Sequence, residues 1–269
     1  MGLERVKPFP TSDGALLYYF DIGEGKPIVL LAGAETTVHT YQCVARKLKD
    51  NYRVIGLERR FEGKTIVELK DMKMERQGKD LHEFLAFIKV THPVLVGHSL
   101  GGAVIMSYLA QFGDQEIASN IIVDQTPKMI NDDTWSEGIA EKNVLSVFRN
   151  LLNTTLPLRK LPSAKINWLL INTMILKQKS CISIKKKKPL YKDYLKADWR
   201  SCLAKVTKPT LFVGTEYSPY WPARHIVTCA DLVQQGTYCM MKKVSHGAHL
   251  EDSEQFAHIV KSWMRKLEE

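Results

Sequence analysis

The chain has 269 residues, a quarter of them charged, and a formal net charge of +9. Its length suits one large domain, or one domain with an insertion, burying about 75% of its unfolded surface without staples. It has no apolar run of about eighteen residues, which excludes a membrane-crossing helix, and five cysteines without a C-x-x-C pair argue against a disulfide framework. Such thiols suit a reduced compartment, and the opening MGLERVKPFP carries no signal-peptide pattern, so a cytoplasmic protein is expected. Much of the basic excess is local, in Lys177, Lys179 and Lys185 to Lys188. No aromatic interleaving or nucleic-acid motif accompanies these lysines, so they read as a solvated loop, with no nucleic-acid partner.

Strand and helix signals alternate along the chain. Residues 16–22 read as a strand, 23–27 as a turn and 28–31 as a short buried strand. A helix over 41–49 and a strand over 52–57 follow. Over 74–89, Met74, Gln77, Leu81, Phe84, Leu85 and Ile88 mark one helical face, apolar but for Gln77. Next come a strand over 94–98, an apolar helix over 103–112 and a strand over 120–123. Strands at 209–213 and 237–244 precede a last helix that carries Phe256, Ile259, Val260, Trp263 and Leu267 on one face. Asp252 and Gln255 have the spacing of a capping box at its start. Repeated β–α units with continuous apolar strands imply an α/β fold, a mostly parallel sheet with helices on both faces. Residues 126–204 break the rhythm, offering helical patches at 135–152 and 166–177 but no core strand. We read them as a helical cap inserted into a core of residues 1–125 and 205–269, over the carboxyl edge of the sheet.

The segment Val94-Leu-Val-Gly97-His98-Ser99-Leu100-Gly101-Gly102 carries the chemistry. An apolar strand enters a Gly-x-Ser-x-Gly turn and an apolar helix leaves it, the arrangement of a nucleophile elbow. Side chains at 97 and 101 would collide where strand and helix fold back on each other. Ser99 is the candidate nucleophile, and the first helical amide, that of Leu100, points at developing negative charge.

With the elbow, the order of strands and a late histidine, the chain resembles the α/β-hydrolase superfamily. Leu30-Leu-Ala32-Gly33-Ala34-Glu35 is similar to the family's His-Gly-x oxyanion loop, with Ala32 in place of the histidine. Tyr52 to Thr65 resembles its "R-V-I-x-x-D-x-R-G-x-G-x-S" segment, with Glu58 for Asp and Phe61 for the first Gly. Ser245-His246 through Glu251 to Glu254 resembles its "G-H-x-x-x-x-E-x-P-E". The resemblance implies an α/β-hydrolase fold and an oxyanion hole formed by the amides of Ala34 and Leu100. It favours His246 over His249 as the base beside Ser99, because a serine hydroxyl needs one at neutral pH. Glu35 is unusual so close to an oxyanion, and is expected to point away or to meet a lysine of the cap.

The third member of the triad stays open. Many relatives place the acid after the penultimate strand, where this chain has Gly214-Thr-Glu216-Tyr217. A minority place it after the preceding strand, where Asp124 follows Ile121-Ile-Val. Asp124 is the preferred acid and Glu216 the alternative, since either strand end can supply an ionised carboxylate beside the imidazole. His98, Trp135 and Trp221 are candidate pocket residues, the tryptophans suggesting an apolar or aromatic small-molecule substrate. No H-e-x-x-H, paired Cys/His spacing or dinucleotide fingerprint is present, so no metal or cofactor is expected. The leading expectation is a serine hydrolase of a small ester, thioester or lactone. The alternatives are a cofactor-independent dioxygenase of N-heteroaromatic substrates, which shares this fold and acid position, and a small-ligand receptor.

Overall fold

The computed structural model describes residues 5–139, 182–183 and 185–269. Their strands are β1 (Lys7–Pro10), β2 (Leu16–Ile22), β3 (Pro27–Leu31), β4 (Arg53–Leu57), β5 (Val94–His98), β6 (Ser119–Val123), β7 (Thr210–Thr215) and β8 (Gly236–Met241). They form a single eight-stranded sheet in the order β1-β2-β4-β3-β5-β6-β7-β8. The pairings β1–β2 and β2–β4 are antiparallel; every other pairing is parallel. The helices are α1 (Gln42–Leu48), α2 (Met74–Ile88), α3 (Leu100–Phe112), α4 (Lys188–Lys196), α5 (Arg200–Leu203), α6 (His225–Asp231), α7 (Ala248–Glu251) and α8 (Ser253–Lys266).

Alternation along the central strands divides the apolar side chains between two layers. Val29 and Leu31 of β3 face Leu81 and Phe84 of α2 and Val104 of α3. Ile28 and Leu30 face the other way, toward Val44 and Leu48 of α1 and Phe256, Val260 and Trp263 of α8. The expected parallel sheet with helices on both faces is therefore present. Sequence reading did not anticipate β1, whose Pro8 and Pro10 suit an edge strand, or α6. Phe9 of β1 nonetheless packs its ring 5.3 Å from that of Phe84.

Two polar details fix helices to the sheet. Asp252 Oδ1 accepts from the Gln255 amide at 2.9 Å and so caps α8. The Gln255 side chain does not complete the box; it bonds the backbone N–H and carbonyl of Lys242, at 2.9 and 3.2 Å. That ties α8 to the loop after β8.

The chain between β6 and β7 departs from expectation at its start. The helix expected from Trp135 is absent over 135–139, where backbone bridges join Asp132 to Trp135 and Ile130 to Ile139. Asp132 turns the chain there, its Oδ1 accepting from Thr134 N at 2.9 Å. The rest of that expected helix, the patch at 166–177 and Trp168 lie outside the described residues. Farther on, α4 packs Leu190, Tyr191, Tyr194 and Leu195 into the same apolar cluster as α2 and α3. Asp193 of α4 also accepts from the first amide of α2, Met74 N, at 2.8 Å.

Candidate active site

Ser99 sits between β5 and α3 with φ 52° and ψ −124°. Positive φ is rare away from glycine and marks sites where surrounding structure holds strain. The surroundings here are tight: a Cβ at Gly97 would lie 2.5 Å from the Gly101 carbonyl oxygen, and one at Gly101 2.3 Å from that of Leu31. Strand and helix therefore close on each other only because both positions are glycine. The Ser99 amide donates to Val123 O at 2.9 Å, which locks the turn to the end of β6.

One residue past β6, Asp124 also has positive φ, 45°. It is fully buried. Its Oδ2 accepts from His246 Nδ1 at 2.6 Å and from the Ser218 hydroxyl at 3.0 Å. A carboxylate accepts only, so this bond places the His246 proton on Nδ1 and leaves Nε2 with its lone pair. The histidine loop is held in turn by Glu251. That carboxylate accepts from Ser245 N at 2.7 Å, from the Ser245 hydroxyl at 2.5 Å and from Gly247 N at 3.1 Å.

His98 closes the circle from the residue preceding Ser99. Its Nε2–H donates to the His246 carbonyl at 2.6 Å. Burial, aided by the nearby His246 and His249, holds its pKa well below the usual histidine range, so the ring is neutral. The nucleophile turn and the histidine loop are thus joined by a buried hydrogen bond.

The loop after β3 lies against the same turn. A Cβ at Gly33 would come within 3.3 Å of Ser99 Cβ and 2.8 Å of His98 Nδ1. Arg59, just past β4, donates from Nε to Ala32 O at 2.8 Å and from Nη2 to Gly33 O at 2.6 Å. Its Nη1 donates to Gln77 Oε1 at 3.2 Å, which accounts for the polar residue in the otherwise apolar stripe of Met74, Gln77, Leu81, Phe84, Leu85 and Ile88 on α2. The next residues are Ala34 and Glu35, the latter also at positive φ, 55°.

Residues 26–165, more than half of the chain, match the model of the alpha/beta hydrolase fold family. The chain belongs to the α/β-hydrolase family. Over 134 residues it is 27% identical to a non-heme chloroperoxidase of Kitasatospora aureofaciens, covering 49% of each chain. It is 25% identical to the 2-hydroxy-6-oxo-6-(2'-aminophenyl)hexa-2,4-dienoic acid hydrolase of Metapseudomonas resinovorans, covering 97% of this chain and 91% of that one. In structure it resembles an esterase of Exiguobacterium antarcticum, with a TM-score of 0.83 and 19% identity over 97% of this chain and all of the other. The chain spans about half the length of the chloroperoxidase-type relatives that it matches.

The remaining sequence candidates of this α/β hydrolase occupy distinct places. Glu216 does not meet His246; its Oε2 accepts from the Lys243 amide at 2.7 Å. His249 is buried and stacks on Tyr41 with centroids 4.2 Å apart. Burial lowers its pKa to about 3, and neither ring nitrogen has a hydrogen-bond partner among the described residues. Trp221 is buried and donates from Nε1 to the Asp124 carbonyl at 2.9 Å. Trp135 donates from Nε1 to Lys128 O at 3.0 Å beneath the Arg200 guanidinium. His98 bridges the nucleophile turn and the histidine loop.

Sequence reasoning missed Arg59, Ser218 and Tyr220, whose ring meets that of His246 edge-on at 4.5 Å. It also misread the lysine run. Lys185, Lys186 and Lys188 are exposed, but Lys187 is fully buried and bonded to Glu35 and Glu62. Among the described residues no group of three or more His, Cys, Asp or Glu is disposed to hold a metal ion. No described helix is long and apolar enough to cross a membrane.

Proposed function

We propose that this chain is a serine hydrolase that cleaves a small ester, thioester or lactone through an acyl-enzyme on Ser99. The observation that carries the reading is the buried Asp124–His246 hydrogen bond, tied through His98 to the residue before the strained serine. In this mechanism Ser99 Oγ attacks the substrate carbonyl while His246 Nε2 takes its proton. The tetrahedral oxyanion is held by the amides of Ala34 and Leu100, each such donor being worth about 3 kcal/mol at the transition state. As the carbon–leaving-group bond breaks, His246 returns the proton to the departing alcohol or thiol. Water, deprotonated by His246, then attacks the acyl carbon and restores Ser99. Asp124 stays ionised throughout, orienting the ring and stabilising the imidazolium.

The same reading makes residues 126–204 a cap over this edge and 1–125 with 205–269 the catalytic core. Tyr220 and Trp221, beside His246 and Asp124, favour an apolar or aromatic substrate. The test is steady-state hydrolysis of p-nitrophenyl acetate and butyrate by the protein and by Ser99→Ala. Sustained turnover that falls by about 10⁴-fold or more in the variant is expected. Absence of turnover in folded protein would sink the ester reading. Oxygen consumption on hydroxylated quinolones would then favour the cofactor-free dioxygenase, while ligand binding without either activity would favour a receptor.

A further inference from the structure

Behind the candidate oxyanion loop lies a cluster of ionisable groups that the proposed chemistry does not use. Lys187, immediately before α4, has no exposed surface. Its Nζ donates to Glu35 Oε1 at 2.7 Å and to Glu62 Oε2 at 3.0 Å. The Tyr191 hydroxyl, one turn along α4, donates to the same oxygen of Glu35. Glu62 Oε1 accepts from the Glu35 backbone amide at 3.2 Å and faces Arg59 Nη2 at 3.5 Å. Glu58 approaches from the same loop, its Oε1 accepting from Val38 N at 3.3 Å.

The cluster is balanced in charge. Burial, and then the neighbouring Glu62, push Glu58 up to about 8, so it is neutral at pH 7. Burial likewise raises Glu62, against the pull of Lys187. Burial keeps the Tyr191 phenol far above its usual range and His98, which also feels Arg59, well below its own. By geometry Arg59 and Lys187 are matched two to two with Glu35 and Glu62. Burying an ammonium is costly unless it is paired and fully hydrogen-bonded. A lysine spent in this way beside a reaction centre calls for a reason.

We propose that Lys187 is a positioning residue of the site: shared between Glu35 and Glu62, it cancels the carboxylate next to the Ala34 amide and fastens the oxyanion loop to the segment between β6 and β7. Glu35 has a backbone conformation that non-glycine residues seldom adopt. Its amide is held by Glu62 and its side chain by Lys187, so the ion pair and the loop geometry stand or fall together. Without the ammonium, two carboxylates would compete for Arg59. One of them would then either take up a proton, as in a carboxyl dyad, or ionise where it opposes the oxyanion. The variant would acquire a further pH dependence, its activity falling progressively behind the parent's as pH rises.

This inference rests on the hydrolase reading for its kinetic arm and is independent of it for its stability arm. The comparison is of Lys187→Met, Glu35→Gln and the double variant with the parent, by kcat and KM for p-nitrophenyl acetate and by thermal unfolding, each from pH 5 to 9. Lys187→Met is expected to lose about tenfold or more in kcat with little change in KM. Its deficit should grow as pH rises. Its Tm should also fall progressively behind the parent's, because a carboxyl raised in the folded state stabilises only below its folded pKa. Adding Glu35→Gln restores the balance of charge and should recover most of both losses. If Lys187→Met fails to fold while the double variant folds, the proposal is likewise supported. Equal impairment of single and double variants, or failure of both to fold, would mean that Lys187 acts only by packing and would overturn it. So would unchanged kcat and Tm in Lys187→Met. If no protein turns over ester, the hydrolase reading fails by itself, and the Tm comparison still decides the role of Lys187.

Discussion

Arg59 and Arg60 are neighbours in the chain, yet each anchors a buried charge network of a different kind. Arg60 reaches outward from the sheet edge to Asp80, with bonds of 2.8 and 2.7 Å, and to Asp13, with bonds of 2.9 and 3.0 Å. Arg76 adds further bonds to Asp80 and Glu83, and Glu83 also accepts from Ser12. Burial works to raise Asp13 and Glu83. Hydrogen bonds from Arg60 and Thr11 to the first, and from Ser12 and Arg76 to the second, outweigh it and hold both acids below their usual range. In the Arg59 cluster burial wins instead, leaving Glu58 and Glu62 raised. The first network draws on residues 12 to 83 and braces the fold. The second recruits its other cation 125 and 152 residues away from its carboxylates, and lies against the candidate site. Paired buried charge thus serves stability in one place and local electrostatics in the other.

The contrast breaks most easily at Arg60. Arg60→Met takes away Asp13's arginine and leaves Asp80 with Arg76 alone, and should cost about 3 kcal/mol in urea unfolding. The kcat of the folded fraction should stay within about twofold, as expected for separated sites; a collapse in kcat would merge the two networks. Arg59→Met should reach the site as well. We expect a loss of roughly tenfold to a hundredfold in kcat as the Ala32 and Gly33 carbonyls are released, together with about 3 kcal/mol of stability, since a buried cation beside Glu62 is removed.

Acidity separates the networks again, with opposite signs. The depressed Asp13 and Glu83 stabilise the native state above their unfolded pKa values, and that contribution disappears as pH falls below about 4. Glu58 is raised, so its contribution is complete below about 4 and is lost as pH climbs toward 8. Calorimetry should show Asp13→Asn flattening the acid limb. Glu58→Gln should flatten the neutral-to-alkaline limb, raising Tm at pH 8 by about 2–4 °C for each kcal/mol recovered. The smallest effect is expected at Glu216→Gln, which touches neither network. Stability should change by about 0.5 kcal/mol or less, and kcat should be unaltered; a large fall in kcat would reopen the assignment of the acid.

The elements that frame the site were legible because each is a local pattern. Buried parallel strands appear as unbroken apolar runs, and the elbow as two glycines at fixed distances from Ser99. Asp124 could be named because it follows the end of an apolar strand, and His246 because its distance from Glu251 matches the family pattern. Arg59 and Lys187 were not legible, since what buries each is a partner distant in sequence. A charge run reads as solvated when its counter-ions are out of view. Two signals did hint at the cluster: Gln77, polar on an apolar face, and Glu35, out of place beside an oxyanion loop and expected to meet a lysine.

The bond from Met74 N to Asp193 spans 119 residues, and with Lys187 it sets an order in time. When β6 has been synthesised, α2 still lacks the acceptor for its first amide, and Glu35 and Glu62 still lack their ammonium. At about 5–20 residues per second, several seconds pass before α4 is made. Through that interval the nascent amino-terminal half holds an excess of acid it has no means to bury. The contacts that close the β3 loop therefore cannot form until the later chain arrives, and the site can be completed only then.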